Sequence, residues 1–237
     1  MNRRRTLLGF EFGCLGPLTL RWETVPWDVA SPVRLLYASD LHLGHWWTRP
    51  VPQQLAEAAQ RAEPNVILLG GDLVDHPAAL PQLQDCIRQL ATLAPVYAIP
   101  GNHDRCVPSS VLARAVVEAG GLWLPDQACT APVRIEGRIT GNADSTPRIL
   151  CAHEPSIFPT AQAAGYRLIL AGHLHGGQCV LATHQERLYP AYWLHRWHVL
   201  RHTDQNTLIL ISRGVADTLP FRFQCPREVL VCDLQPR

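Results

Sequence analysis

Short apolar runs alternate along the first half of the chain with longer segments whose hydrophobic residues recur at near-helical spacing. VRLLYASD (33–40) predicts a buried strand that ends in polar residues. VPQQLAEAAQRAEP (51–64) predicts a helix, and NVILLGGD (65–72) a second buried strand that stops at glycines. LPQLQDCIRQLATL (80–93) predicts the next helix and PVYAIPGNHD (95–104) the third strand. SSVLARAVVEAG (109–120) predicts a third helix, with Ser109 or Ser110 as N-cap and Gly120 as the stop. Four further strand-like runs follow at 148–154, 166–177, 206–214 and 228–234. The β-α-β-α-β-α order of the first half implies a largely parallel sheet, and the second half is dominated by strands. No internal repeat or low-complexity linker interrupts the pattern.

The 237 residues fit one domain, 1–237, in which residues 1–30 form an N-terminal extension. With 47% hydrophobic and 17% charged residues, the chain can bury a substantial core, which argues against disorder. The net charge of +1 offers no broad basic field, so nucleic acid is a poor candidate partner. The eight cysteines contain no C-x-x-C pair and read as reduced, mostly buried thiols of a cytosolic protein. The start, MNRRRTLLGFEFGCLGPLTL, has some likeness to a twin-arginine export signal. Glu11 interrupts its apolar part, no A-x-A cleavage site follows, and no apolar run is long enough for a membrane span. Arg3, Arg4 and Arg5 beside Leu7, Leu8, Phe10 and Phe12 leave a peripheral membrane contact open.

Polar residues gather just beyond the C-terminal ends of the strands, where open α/β sheets form ligand crevices. The first strand is followed by Asp40-Leu-His42, the second by Gly71-Asp72-Leu-Val-Asp75, and the third by Gly101-Asn102-His103-Asp104. Later strands give His153 and then Gly172-His173-Leu-His175. A lone D-x-H after a strand is usually a capping acid and a surface histidine. G-x-H-x-H is stronger, because alternate residues of an extended segment point the same way. Five clusters of carboxylate, amide oxygen and imidazole, each at a strand end, are hard to assign to chance. Five of the eleven histidines fall in them. The remaining six read as surface or structural, with His45 and His76 close enough to reach the rim.

The ordered series DLH, GDLVD, GNHD, AHE and GHLH resembles the calcineurin-like metallophosphoesterase superfamily over about residues 33–234. GHLHGGQ (172–178) and SRGVADTLPFRFQCPREV (212–229) resemble a subgroup of small bacterial phosphoesterases. Many members of that subgroup carry an N-terminal anchor or export signal, and some act on lipid-linked substrates. The resemblance implies a four-layer α-β-β-α sandwich of two mixed β-sheets flanked by helices, holding two divalent metal ions. It implies Asp40, His42 and His175 as ligands of one ion, and Asn102, His153 and His173 as ligands of the other. Asp72 is similar to the bridging carboxylate. His103 is similar to the histidine that protonates the leaving oxygen or holds the phosphate. Asp75 is similar to the acid that orients it, and Asp104 reads as a local structural acid.

The oxygen and nitrogen donor set suits manganese, iron or zinc and argues against calcium. Two such cations can share a water, lower its pKa and clamp the phosphate oxygens, so no serine or cysteine nucleophile is required. Cys106 and Cys151 accordingly read as packing residues. The leading expectation is a phosphohydrolase acting on a small phosphodiester, pyrophosphate or phosphomonoester, with a lipid-linked substrate as one form. A nuclease of the same superfamily is the alternative, and the small net charge speaks against it. A scaffold that kept the fold but lost catalysis should have lost ligands, and none is missing. The stretch 141–154 is short for the subgroup, between a strand near Ile139 and one near Leu150, which implies a more open site. Trp46 and Trp47 are expected at the mouth of the site. YWLHRWH (192–198) either packs the second sheet or offers aromatics and arginine to a base, a head group or a membrane interface.

Overall fold

The computed structural model describes residues 9–141 and 146–237. Strands and helices are numbered in chain order. The larger sheet has six strands in the order β2-β15-β3-β4-β5-β6. They are β2 (Thr19–Trp27), β3 (Val33–Ala38), β4 (Val66–Gly70), β5 (Val96–Ile99), β6 (Leu122–Trp123) and β15 (Glu228–Pro236). β3 to β6 run parallel, β15 is antiparallel to β3, and β2 is parallel to β15. The second sheet, in the order β12-β13-β9-β8-β7, has five. They are β7 (Arg134–Glu136), β8 (Arg148–Cys151), β9 (Leu168–Ala171), β12 (Arg201–Asp204) and β13 (Thr207–Ile211). Two small antiparallel pairs complete the strands: β1 (Phe10–Phe12) with β14 (Phe221–Phe223), and β10 (Val180–His184) with β11 (Arg187–Pro190).

Side chains alternate across each strand, so each sheet has two faces to cover. One set of alternate residues, Leu36, Ala38, Ile67 and Leu69, packs under α1 (Val51–Ala62), α2 (Leu80–Ala91) and α3 (Ser109–Glu118). The other set, Leu35, Tyr37, Val66 and Leu68, meets Ile149, Cys151, Leu168 and Leu170 of the second sheet. The far face of that sheet, Leu150, Ile169, Ile209 and Ile211, is covered by α4 (Phe158–Ala163) and by Trp197 and Val199 after α5 (Ala191–Leu194). Three layers of apolar packing between four layers of structure make this an α-β-β-α sandwich, as the resemblance implies.

The differences are local. α3 starts on the carbonyl of Pro108, which accepts from Val111 and Leu112, so neither Ser109 nor Ser110 caps it. The third strand stops at Ile99, and His103–Cys106 form a 3₁₀ turn instead. The strand expected near Ile139 lies at Arg134–Glu136. Within residues 1–30, the stretch 19–27 is an edge strand of the larger sheet rather than an appendage. Four of its nine residues are exposed, among them Pro26, which an edge tolerates. Arg3, Arg4, Arg5, Leu7 and Leu8 lie outside the described residues. Among the described residues, no helix is long and apolar enough to cross a membrane.

Candidate metal centre

Strands β3, β4, β5, β8 and β9 end side by side, and the loops that leave them cross. The amide of Asp40 donates to the carbonyl of Gly71 (2.9 Å), and those of Leu41 and His42 donate to the carbonyl of Asp72 (2.8 and 3.0 Å). The amide of Gly172 donates to the carbonyl of His153 (2.9 Å). Glycine permits two of the close approaches. A Cβ at Gly101 would lie 2.1 Å from Oδ1 of Asp72, and one at Gly172 would lie 2.1 Å from Oγ of Ser39. Asp104 is buried and accepts from the amides of Leu73 (2.9 Å), Val74 (2.9 Å) and Gly101 (2.7 Å). It ties the second loop to the third.

These crossings bring all seven expected donor residues together. Asp40, His42 and His175 form one group in which one donor atom of each lies within 4.8 Å of the others, and Asp72, His153 and His173 form a second. Asn102 joins the second, its Oδ1 3.0 Å from Nε2 of His153. Oδ2 of Asp72 lies 3.2 Å from Nε2 of His153 and 3.8 Å from Nε2 of His42, so one oxygen faces both groups. Its other oxygen accepts from the amide of His103 (2.8 Å). Oδ2 of Asp40 accepts from the hydroxyl of Ser39 (2.6 Å), while its Oδ1 faces Nε2 of His175 at 3.7 Å.

The outer nitrogens of the rings are held from behind. Nδ1 of His42 meets Asp75 (2.8 Å), Nδ1 of His153 meets the carbonyl of Gly70 (2.9 Å), and Nδ1 of His175 meets Asp217 (2.8 Å). Each Nδ1 therefore donates, which turns Nε2 inward and makes it the donor atom of the neutral ring. Two such nitrogens, on His42 and His175, lie 3.3 Å apart, and Nδ1 of His173 lies 3.2 Å from Nε2 of His153. Bare lone pairs at these distances repel unless a cation or a proton stands between them. The donor set therefore fits divalent cations.

The charge balance agrees. Burial disfavours a charged ring at His153, but the hydrogen bond to Asp72 and the nearby charge of Asp40 outweigh it and lift its pKa to about 9. Burial would raise the acid of Asp72, yet His153, the amide of His103 and His42 bring it down to about 2. Burial also opposes a charge on His175, and Asp40 and Asp217 overcome it, moving its pKa up. At neutral pH a proton on His153 balances the charge of Asp72 and Asp40 when no cation is bound.

Asp75 meets three rings where one was expected. Its Oδ1 contacts Nδ1 of His42 (2.8 Å) and Nδ1 of His103 (3.0 Å), and its Oδ2 contacts Nε2 of His45 (2.8 Å). The ring of His45 stacks on Trp47, with centroids 4.3 Å apart. His103 is partly exposed, and its ring meets that of His42 edge-on, with centroids 4.7 Å apart. Trp47 is partly buried and donates to the carbonyl of Asp217 (3.0 Å), whereas Trp46 is exposed. His76 stays local, accepting from the amide of Ala78 (3.1 Å). Cys151 is buried as expected, but Cys106 is exposed. The slight burial that its sulfur does have, and the charges of Asp104 and Asp75, push the thiol pKa up, which disfavours the nucleophilic thiolate.

Asp217 and Arg222 were not singled out from the sequence. Arg222 is buried and grips Asp217 through Nε (2.6 Å) and Nη2 (2.8 Å), and Asp217 in turn holds His175. The tail SRGVADTLPFRFQCPREV contained the signal, but only folding brings it behind the GHLH turn.

A four-layer sandwich with carboxylates and imidazoles converging at its strand ends defines a metal-dependent phosphoester hydrolase. The chain belongs to the calcineurin-like phosphoesterase family, whose model matches residues 33–162. Members of this family use a divalent metal centre. Phosphodiesterase YaeI of Escherichia coli K12 is 29% identical over 231 residues, covering 87% of this chain and 84% of that protein. The uncharacterized metallophosphoesterase YkuE of Bacillus subtilis 168 is 26% identical over 226 residues, covering 85% and 79%. The crystal structure of TT1561 of Thermus thermophilus superposes with a TM-score of 0.52 at 11% identity, over 78% of this chain and 90% of that one, which shows a shared fold.

Proposed function

We propose that the protein is a binuclear phosphohydrolase acting on a phosphodiester or pyrophosphate that carries an apolar group. The observation that carries this reading is Oδ2 of Asp72 facing Nε2 of both His42 and His153. One carboxylate oxygen shared by two donor groups suits a bridging role. Asp40, His42 and His175 would hold one cation, and Asn102, His153 and His173 the other, with manganese, iron or zinc each compatible with the donors. Such a pair supplies Lewis acidity and an activated water at neutral pH. His103 lies outside both groups and can donate a proton to the leaving oxygen, while Asp75 sets the orientation of its ring. Asp217 and Gly70 hold the ligand rings from behind.

Two observations favour an apolar group on the substrate. A groove beside His153 is lined by Ile99, Pro100, Ile139, Leu150 and Ile157. Phe12, Leu15, Trp46 and Leu219 are exposed on segments that lie next to one another, since the amide of Gly13 donates to the carbonyl of Pro220 (2.8 Å) and Gly13 sits against Trp47. Exposed aromatic and aliphatic side chains of this kind suit peripheral contact with a lipid surface. The name of the YaeI relative supports a diesterase.

The test is an activity screen of the chelator-treated protein resupplied with manganese, iron or zinc. Substrates should span phosphomonoesters, aryl phosphodiesters, nucleotides and nucleoside-diphosphate lipids. Diesters or pyrophosphates should turn over, fastest when they carry an acyl or aryl group. Monoester-only activity would overturn the reading, as would salt-sensitive cleavage of nucleic acid without turnover of small esters.

A further inference from the structure

A second pocket lies on the outer layer of the smaller sheet, between the start of α4 and the β11 and β12 strands. Its walls carry three arginines, Arg187, Arg196 and Arg201, with Tyr192, Trp197 and His202 between them. None of the metal-centre residues lines it. Phe158, which also faces it, packs against Trp197 and His202, so the aromatic floor is anchored in the core under α4.

The guanidinium groups are placed rather than loose. Arg187 lies over the ring of Tyr192 (4.9 Å) and Arg196 over that of Trp197 (4.9 Å). Stacking holds the plane of a guanidinium but leaves its N–H edge free for a planar or tetrahedral acceptor. Arg201 reaches Glu23 (3.3 Å). No acid among the described residues pairs with Arg187 or Arg196, and Asp204 is the one carboxylate on the lining. Two guanidiniums without an acidic partner, and a third shared with Glu23, therefore line one concave site that holds a single carboxylate, in a chain whose net charge is only +1. Like charges gathered this way repel one another, and a bound dianion would reverse the sign of that interaction.

We propose that this pocket is a second phosphate-binding site, separate from the metal centre, which takes the phosphate of an anionic ligand. The ligand is either a free phosphate ester or a lipid head group. Trp193 and Leu194, exposed on α5 next to Tyr192, suit the lipid source. The pocket does not depend on the reading of the metal centre.

The test uses the full chain in chelator, so that the metal centre does not compete for phosphate. Inorganic phosphate binding is followed by calorimetry, and vesicle binding by flotation with phosphatidylglycerol or phosphatidylcholine. The double variant Arg187→Gln with Arg196→Gln is compared with a charge-matched control, Arg88→Gln with Arg114→Gln, on exposed faces of α2 and α3. The pocket variant should lose tenfold or more in affinity for inorganic phosphate, for phosphatidylglycerol vesicles or for both. The control should change less than twofold. Binding of inorganic phosphate identifies a soluble ligand, and binding of phosphatidylglycerol vesicles alone identifies a head group. Either pattern supports the site. The proposal is overturned if the wild-type chain binds neither probe, or if both double variants lose affinity equally. Turnover of an aryl phosphodiester by the metal-loaded pocket variant should stay within twofold of wild type, and its thermal midpoint should be unchanged.

Discussion

Replacing Asp217 by asparagine separates the stability of the fold from the orientation of the metal centre. Arg222 is 1% exposed, and the Asp217 carboxylate is the counter-ion it grips through two hydrogen bonds (2.6 and 2.8 Å). Its other partners are the carbonyls of Ala216 (3.2 Å) and Cys225 (3.4 Å), which carry no charge. Burial would raise the acid of Asp217, but the charge of Arg222 and the bond to His175 hold its pKa down. Removing one partner of a buried pair leaves an uncompensated charge, at a cost of about 3–5 kcal/mol. In a chain of this size each kcal/mol moves the melting midpoint by roughly 2–4 °C, so Asp217→Asn should lower it by about 6–20 °C. Adding Arg222→Met removes the orphaned charge as well and should recover most of that loss.

Metal affinity should respond differently. Oδ1 of Asp217 (2.8 Å) also accepts from Nδ1 of His175, with the carbonyl of Ala216 (3.0 Å) as a second, uncharged acceptor, and the carboxylate strengthens the hold on the ring with Nε2 inward. Asparagine can still accept from Nδ1 but lacks the negative charge, and weakening a partner behind a ligand costs up to about 10–100-fold in affinity, which Arg222→Met cannot restore. The assay is circular dichroism melting in chelator, paired with zinc competition against a chromogenic chelator. The double variant should melt near wild type and still bind zinc weakly. A midpoint within about 2 °C of wild type for Asp217→Asn alone, by the scale just given, would refute the buried-charge argument. Recovery of zinc affinity in the double variant would refute the orientation argument.

Asp72→Asn should cut turnover of an aryl phosphodiester by several orders of magnitude and lower the metal content found by atomic emission. Activity within tenfold of wild type would end the bridging assignment. His103→Ala should retain its metal and lose about 10²–10⁴-fold in rate, most on substrates with poor leaving groups. Metal loss instead would make His103 a ligand. In the metal-free protein, the His153 pKa of about 9 means that its proton must leave when a cation binds at pH 7. Calorimetry in buffers of different ionisation enthalpy should find about one proton released from this group at pH 7 and none well above pH 9. The same raised pKa stabilises the metal-free fold fully below the ordinary histidine value near 6.5, and that contribution disappears as pH rises through about 9. Melting midpoints of the metal-free chain should therefore fall over that window, while those of the loaded protein should not.

What the sequence made legible follows from how local each feature is. The seven donors sit in contiguous motifs at strand ends, and parallel strands place those ends on one edge without further information. The continuous apolar runs in VRLLYA and NVILL carried both faces of the larger sheet, because each strand there is buried on both sides. β2 was missed because Arg21 and Glu23 occupy inward positions beside Val25 and Trp27, so the sequence does not alternate between apolar and polar. The roles of Asp217 and His45 were hidden for another reason. Each matters through a partner distant in sequence: Asp217 through His175, and His45 through Asp75. No periodicity in the chain encodes such pairings.

The backbone at the centre shows where the cost of assembling it is carried. Asp40, His42, Asp72, His173 and His175 all adopt left-handed φ, between 45° and 75°. Five of the seven proposed ligands thus occupy a region that side chains with a Cβ disfavour, at about 1–3 kcal/mol each by the usual range for strained residues. Such conformations persist only where the surroundings over-determine them. Here the surroundings are the crossed loops: the amides of Asp40, Leu41 and His42 bonded to the loop after β4, Asp104 bonded to three amides, and glycines at 101 and 172 that let the loops touch. The neighbouring turns, GDLVD and GNHD, are therefore as much a hydrogen-bonding frame as a set of ligands. The frame is made of backbone amides, carbonyls and one buried carboxylate, which hold the loops carrying the donors against one another.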